Sequence, residues 1–267
     1  MIIVRGGGDL ASGTVYKLHK CGYLVLILET DRPMAIRRKV SFCEAVYDGV
    51  SKVEDVVCRR VETAEQCIQA WNSHEIPLMT DPDGTVIRQM HPAAVIDAIL
   101  AKKNLGTSKD MAPLTIALGP GFCAGMDVHY VIETKRGHQL GRVIEQGYAA
   151  PNTGIPGIIE GYGAERVIHA PVSGKIQVLG QIGSVVTKGQ TLAVIGDTGV
   201  SATIDGVLRG IIRDGFTVEA GLKIADIDPR IEEKDNCATI SDKARCIAGG
   251  VLEVLVANGC FGTGACR

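Results

Sequence analysis

Between Ala170 and Ile227 the sequence repeats itself at a constant offset of 32 residues, and no other feature restricts the fold as strongly. Ala170-Pro-Val-Ser-Gly174 answers Ala202-Thr-Ile-Asp-Gly206. Gly183 answers Gly215, Val186 answers Val218, Gly189 answers Gly221, Leu192 answers Ile224 and Ile195 answers Ile227. Glycines answering glycines between short apolar runs set turns at equal intervals, which predicts two four-strand-like halves wrapped into a small β-sandwich over 166–230.

The first 165 residues have a different texture. Met1–Val4 reads as a buried strand, Asp9–Cys21 as a helix stopped by Gly22, and Tyr23–Leu28 as a second apolar strand, an order typical of a parallel sheet. Glu75–Thr80 and Pro113–Leu118 extend the strand series, as does Val128–Glu133. Asp81-Pro-Asp-Gly84 marks a turn, and His91-Pro92 opens an expected helix reaching about Lys103. In the last segment, 231–267, Ala244, Ile247, Ala248, Val251, Leu252 and Leu255 recur at helical spacing, and Gly259 ends the run. This helix is expected to pack back on the first domain.

The charge is balanced, 28 Lys and Arg against 30 Asp and Glu, so no nucleic-acid or anionic-membrane partner is expected and a ligand must be recognised locally. Arg5 interrupts the first apolar run, and no segment approaches the ~18 apolar residues that span a bilayer. A cytoplasmic location is the expectation. Nine cysteines at 21, 43, 58, 67, 123, 237, 246, 260 and 266 form no C-x-x-C pair, and in a reducing compartment they read mostly as small buried hydrophobes. For assembly, an isologous homodimer is the base-rate expectation.

Two glycine loops carry the candidate chemistry. Gly6-Gly7-Gly8-Asp9-Leu10-Ala11 fits G-x-G-x-x-A between a strand and a helix, with Ser12 in the first turns and Glu29 at the end of the next strand. That context suits a dinucleotide: backbone approaches the pyrophosphate at a helix N-terminus and the acid meets a ribose hydroxyl. A glycine-rich turn capped by Asp9 and holding nothing is the structural alternative. The spacing from Gly8 to Gly13 mimics a P-loop but lacks its lysine, which argues against P-loop nucleotide hydrolysis. The second loop, Gly119-Pro-Gly121-Phe-Cys123-Ala-Gly125, is followed by Asp127, His129, Glu133, Arg136 and His138. Gly119, Gly121, Gly125, Asp127, Arg136 and His138 join the candidate ligand site, and His129 reads equally well as a satisfied strand histidine. Arg37 and Arg38 form a cationic run whose guanidinium forks match a phosphate, or else a solvated face. Cys123 is a candidate thiolate. Cys260 and Cys266 are two cysteines too few for a structural zinc site and read as a tail.

The phrases "MIIVRGGGDLASG", "ETDRPMAIRRKVSF", "LGPGFCAGMDVHYVIETKRGHQLGRVI" and "PNTGIPGIIEGYGAERVIHAP" resemble the selenium-dependent molybdenum hydroxylase system proteins, the YqeB family, essentially end to end. The first domain is similar in kind to the Rossmann-like domain of XdhC-type accessory proteins. The repeat looks like a biotinyl/lipoyl-type barrel-sandwich hybrid, although Gly196-Asp-Thr-Gly-Val-Ser201 lacks the modifiable lysine. The resemblance implies an α/β fold: a Rossmann-like parallel-sheet domain over 1–165, a lipoyl-like β-domain over 166–230, and the C-terminal helix. It further implies an accessory role toward a molybdenum hydroxylase client, with a molybdopterin-type cofactor or another phosphate-bearing ligand in the glycine loops. Were selenium handled covalently, Cys123 would be the first candidate to carry it. An NAD(P)-dependent oxidoreductase and a non-catalytic scaffold stand beside this reading.

Overall fold

The computed structural model describes residues 1–154 and 157–262, and the chain forms two compact units. The first unit takes Met1–Pro33, Ser41–Asn152 and Ile240–Arg267; the second takes Met34–Val40 and Thr153–Thr239. Each unit is therefore discontinuous in sequence. The succession of segments 1–165, 166–230 and 231–267 does not describe this division, because a seven-residue stretch near the N-terminus belongs with the β-rich second unit.

In the first unit the elements follow in chain order as β1 (Ile2–Arg5), α1 (Asp9–Lys20), β2 (Val25–Glu29), α2 (Ala45–Asp48), β3 (Val50–Val53), β4 (Val56–Arg60), α3 (Ala64–Asn72), β5 (Ile76–Thr80), α4 (Ile87–Met90), β6 (Ala94–Asp97), β7 (Leu114–Leu118), β8 (Cys123–Ala124), β9 (Tyr130–Ile132), β10 (Val143–Ile144), β11 (Gly147–Tyr148) and α5 (Asp242–Ala257). One nine-stranded sheet runs β10-β9-β7-β6-β1-β2-β5-β4-β3, and β8 pairs separately with β11. Its centre is parallel, but β9/β10 and β3/β4 close both edges antiparallel. Strands β1, β2, β6 and β7 read as continuous apolar runs because helices or loops cover both faces.

Helix α1 begins with Asp9 and ends with Lys17 and Lys20, charges that complement the helix dipole. Its buried side includes Gly13, where a Cβ would stand 2.6 Å from the Ala244 Cβ. Glycine at that position therefore lets α1 approach α5 closely. Helix α5 starts at Ser241, whose side chain accepts from the Ala244 N–H at 3.2 Å, and it buries Ala244, Ile247, Ala248, Val251, Val254 and Leu255.

The second unit contains β12 (Val167–His169), β13 (Gly174–Val178), β14 (Val185–Val186), β15 (Thr191–Ile195), β16 (Thr198–Ser201), β17 (Gly206–Ile211), β18 (Thr217–Val218) and β19 (Lys223–Asp228). They form two four-stranded sheets, β12-β19-β17-β14 and β16-β15-β13-β18. Each sheet takes strands from both copies of the 32-residue repeat. The equivalent residues Val186 and Val218, Leu192 and Ile224, and Ile195 and Ile227 are all buried in its core. Ile36 packs against the same core, and a Cβ at Gly210 would stand 2.6 Å from the Ile36 carbonyl oxygen.

Two expectations are corrected. The first is the fold class. A Rossmann-like parallel sheet followed by a lipoyl-like barrel-sandwich hybrid does not describe a chain with a mixed nine-stranded sheet, antiparallel at both edges, and several further antiparallel sheets. What is present is a mixed α/β architecture. The second concerns the helix expected from His91 to Lys103. It is instead strand β6, paired in parallel with β1 and β7, followed by an irregular loop. A short apolar run buried on both faces reads alike as strand or helix, and only its pairing partners decide. The segment 45–72 supplies α2, β3, β4 and α3.

Candidate functional site

Because the central strands run parallel, their carboxyl ends share one edge of the sheet. Gly6–Asp9 follows β1, Glu29 ends β2, Asp97 ends β6, Gly119 follows β7 and Glu133 follows β9. From β1 the chain goes to β2 on one side, while β6 takes the other side. In an open α/β sheet such a reversal leaves a crevice at the carboxyl ends, the usual ligand position.

The three glycines of the first loop do different things. Gly6 has φ +98°, and a Cβ there would lie 2.9 Å from the Ala98 carbonyl oxygen. Gly7 abuts Cys43, whose N–H donates to the Gly7 carbonyl at 2.9 Å; the Ser12 hydroxyl donates to the same carbonyl at 3.0 Å and accepts from the Phe42 N–H at 2.8 Å. Gly8 has φ −70° and ψ −176°, an extended conformation open to any residue, and nothing lies within 4 Å of its Cβ position. The protein's own packing explains Gly6 and Gly7 and leaves Gly8 unexplained. Gly8 also precedes α1, whose first turn has no side-chain cap.

Glu29 sits where the spacing placed it, but its carboxylate turns inward. Oε2 accepts from the Gly7 N–H and Oε1 from the Thr30 N–H, both at 2.8 Å. Burial raises its pKa, and the two backbone donors offset part of that rise. Glu133 is likewise turned onto backbone, accepting from the N–H groups of Thr134, Lys135 and Ala150.

The second loop leaves β7 at Gly119, where a Cβ would meet the Thr134 hydroxyl at 2.6 Å. Gly121 has φ +111°, and a Cβ there would lie 2.7 Å from Lys103 N. Gly125 has φ +84° and lends its carbonyl oxygen to Lys109 Nζ at 3.0 Å. Asp127 accepts from the Cys123 N–H at 2.7 Å, so this carboxylate shapes the turn. Cys123 is buried, its thiol donates to the Ala124 carbonyl at 3.7 Å, and its register partner in the β8/β11 ribbon is the exposed Tyr148. His129, just ahead of β9, is satisfied within the fold, its Nδ1 accepting from the Thr115 N–H at 3.0 Å; burial first, and then Lys109, lower its pKa.

Several predicted site residues do not converge. Arg37 and Arg38 belong to the second unit: Arg37 donates to the carbonyls of Asn236 and Thr239 at 3.1 Å, and Arg38 Nε donates to that of Ile211 at 2.9 Å. Lys39 donates to the Ile182 carbonyl at 2.8 Å. The cationic run thus fastens a strap to the second unit's strands and turns. Arg136 forms a two-pronged pair with Asp242 at 2.9 and 3.1 Å, and His138 is exposed. Cys260 is half-buried, with its carbonyl accepting from the Tyr23 hydroxyl at 2.6 Å; Cys266 lies outside the described residues.

The sequence reading missed a buried polar relay at the same edge. Arg5 and Asp97 are register partners at the ends of β1 and β6. Arg5 Nη1 donates to the Thr107 hydroxyl at 2.5 Å, and that hydroxyl donates to Asp97 Oδ2 at 2.6 Å. All three side chains are buried, and burial raises the Asp97 pKa against the pull of Thr107, Ile99 and Arg5. Charges interrupting two apolar runs were the available signal. Among the described residues, no group of three or more His, Cys, Asp and Glu could hold a metal ion, and no helix is long and apolar enough to cross a membrane. Two surface cavities of about 300 and 390 Å³ occur in the first unit, and none of the glycine-loop residues lines either.

No protein-family model matches the chain. The uncharacterized protein YqeB of Escherichia coli (strain K12) is 46% identical to it over 256 residues, covering 96% of this chain and 47% of that protein. The chain is similar to this protein over nearly all of its own length. It spans about half the length of that curated relative. Among solved structures, the apo ectoine utilization protein EutE (DoeB) from Ruegeria pomeroyi is similar at 10% identity over 85% of each chain, with a TM-score of 0.26. An aspartoacylase family protein from Mesorhizobium loti is similar at 13% identity over 85% of this chain and 83% of that one, with a TM-score of 0.29. Neither likeness carries chemistry across to this chain.

Proposed function

We propose that the chain binds a small phosphate-bearing ligand at the first glycine loop, and that it acts as an accessory protein in maturation of selenium-dependent molybdenum hydroxylases, with a molybdopterin-type cofactor as that ligand. Gly8 carries the first part: neither its backbone conformation nor any neighbour requires glycine there, and the space it leaves opens beside an uncapped helix start. Backbone N–H groups at a helix N-terminus favour a phosphate. The pathway part rests on the four sequence phrases that resemble the family.

The residues present fit the phosphate end of a molybdopterin. Asp9 and Leu10 would offer first-turn N–H groups to it, and Glu29 would hold the loop rigid through its bond to Gly7. Such a cofactor brings its own dithiolene for the metal, which the protein need not supply.

An NAD(P)-binding reading draws on the position of Glu29 at the end of β2, but both carboxylate oxygens already accept from backbone. Parallel calorimetric titrations of the full chain with molybdopterin cofactor and with NAD(H), repeated on Gly8→Asp, separate these readings. Molybdopterin binding that disappears in the variant supports the proposal. Binding of NAD(H) alone makes the oxidoreductase the account to pursue, and binding of neither removes the ligand from this loop.

A further inference from the structure

Helices α1 and α5 lie side by side and finish at the same place. Near their starts Gly13 meets Ala244, and Lys17 Nζ donates to the Arg245 carbonyl at 3.2 Å. Beyond their ends the Tyr23 hydroxyl donates to the Cys260 carbonyl at 2.6 Å, and a Cβ at Gly262 would collide with the Cys21 carbonyl oxygen and stand 2.9 Å from Gly22 C. The chain leaving α5 therefore crosses the turn that leaves α1.

That crossing brings two cysteines together from far apart in sequence. Cys21 is exposed, and its N–H donates to the carbonyls of Lys17 at 3.0 Å and Leu18 at 3.1 Å. Cys260 is half-buried, and its N–H donates to the Leu255 carbonyl at 2.8 Å. Backbone bonds thus hold both residues in place. Two residues of chain span at most about 7 Å, so Cys260 stays close to Gly262, which itself touches the Cys21 carbonyl. The buried Tyr23 stands near both thiols: burial first, and then Cys21 and Cys260, raise its pKa.

We propose that Cys21 and Cys260 form an oxidative modification site, a reversible disulfide that ties the end of α5 to the end of α1 and is made by exchange with a small-molecule disulfide such as oxidised glutathione. The inference is independent of the ligand reading above. The exposed Cys21 thiolate attacks one sulfur of the glutathione disulfide, whose S–S bond breaks, and the glutathione thiolate that leaves takes up the proton Cys21 gave up. The Cys260 thiolate then attacks the Cys21 sulfur of the mixed disulfide, and the second glutathione leaves and takes the Cys260 proton. Two protein thiols are oxidised and one glutathione disulfide is reduced to two thiols. An accessible attacking thiol with a second thiol beside it to resolve the adduct is what this exchange requires. The bond joins residues near opposite ends of the chain, and closing so long a loop restricts the unfolded state strongly.

The test equilibrates the full chain in glutathione buffers of graded redox ratio, traps it by alkylation and maps the links by mass spectrometry without reduction. Chymotrypsin cuts between Phe261 and Gly262 and so separates Cys260 from Cys266. A Cys21–Cys260 link within one chain is expected, removed by dithiothreitol, with the oxidised protein melting roughly 5 °C or more above the reduced one. Cys21→Ser and Cys260→Ser should each abolish the link and the shift, and Cys266→Ser should keep both. The exposed Cys246 is the control, since its glutathione adduct shows that the oxidant has reached the protein. Cys21 and Cys260 left as free thiols or glutathione adducts while Cys246 carries its adduct would overturn the inference. So would a Cys21–Cys266 link, a link between two chains, or a Cys21–Cys260 link that leaves the melting temperature unchanged.

Discussion

The N–H of Gly7 donates to Glu29 Oε2 at 2.8 Å, so the acid that spacing alone assigns to a bound ribose is engaged with the loop itself. A carboxylate so placed keeps the loop's shape in the absence of a ligand, and it does so from a half-buried position whose desolvation disfavours its charge.

That burial gives a pH signature. The folded pKa of Glu29 is raised, so the folded protein keeps this proton to higher pH than the unfolded chain does. The stability linked to that proton is fully present below the ordinary glutamate range and is lost as pH rises through the folded value, by about 1.4 kcal/mol for each pH unit separating the two values. Urea unfolding of the protein and of Glu29→Gln from about pH 4 to about pH 7 should show the unaltered protein losing ground to the variant as pH rises. A difference independent of pH would show that Glu29 titrates as it does in the unfolded chain.

Gly6 and Gly8 should separate structure from binding. Gly6→Ala meets both a positive φ and the Ala98 carbonyl, and should destabilise by roughly 2 kcal/mol or more. Gly8→Ala meets neither obstacle and should change stability by only about 0.5 kcal/mol. Thermal melts of the two variants check this, and a large loss in Gly8→Ala would mean that its backbone is constrained after all.

Arg37 should matter to stability and leave phosphate binding intact. Arg37→Met removes a buried donor from the carbonyls of Asn236 and Thr239, at an expected cost of roughly 1–3 kcal/mol. The measurement is a denaturation curve alongside a pyrophosphate titration. Weakened binding in a variant of unchanged stability would return the arginine to the ligand site.

Thiol reactivity should follow burial. Cys21 and Cys246 are exposed and should be alkylated first in the native protein. Burial pushes the Cys43 and Cys58 thiols up, and Cys67 to about 11, so these three should react mainly on unfolding. Pulse alkylation read by mass spectrometry gives the order. Early labelling of Cys43 would reveal local opening over the Gly7 loop.

Much of this architecture was legible where local rules and burial agree. The Gly6–Gly8 turn, α1 with its Gly22 stop, and α5 with its Gly259 stop all follow from residues adjacent in sequence. The 32-residue repeat survives in the strands because the same core positions recur in both copies. Legibility failed at His91–Lys103, where β6 is a strand only because β1 and β7 flank it, and at Arg37 and Arg38, whose partners lie 202 and 173 residues away in sequence.

The sequence by itself determined the glycine loops, the apolar runs that had to be buried, the repeat and the positions of charge, since these depend on periodicity, turn chemistry and composition. The tertiary structure decided the mixed order of the nine-stranded sheet, the assignment of Met34–Val40 to the second unit, the turning of Glu29 onto Gly7, and the meeting of Arg5, Thr107 and Asp97. Those choices are made by hydrogen bonds between residues far apart in the chain, and a buried donor or acceptor takes whichever partner the packed fold brings within reach.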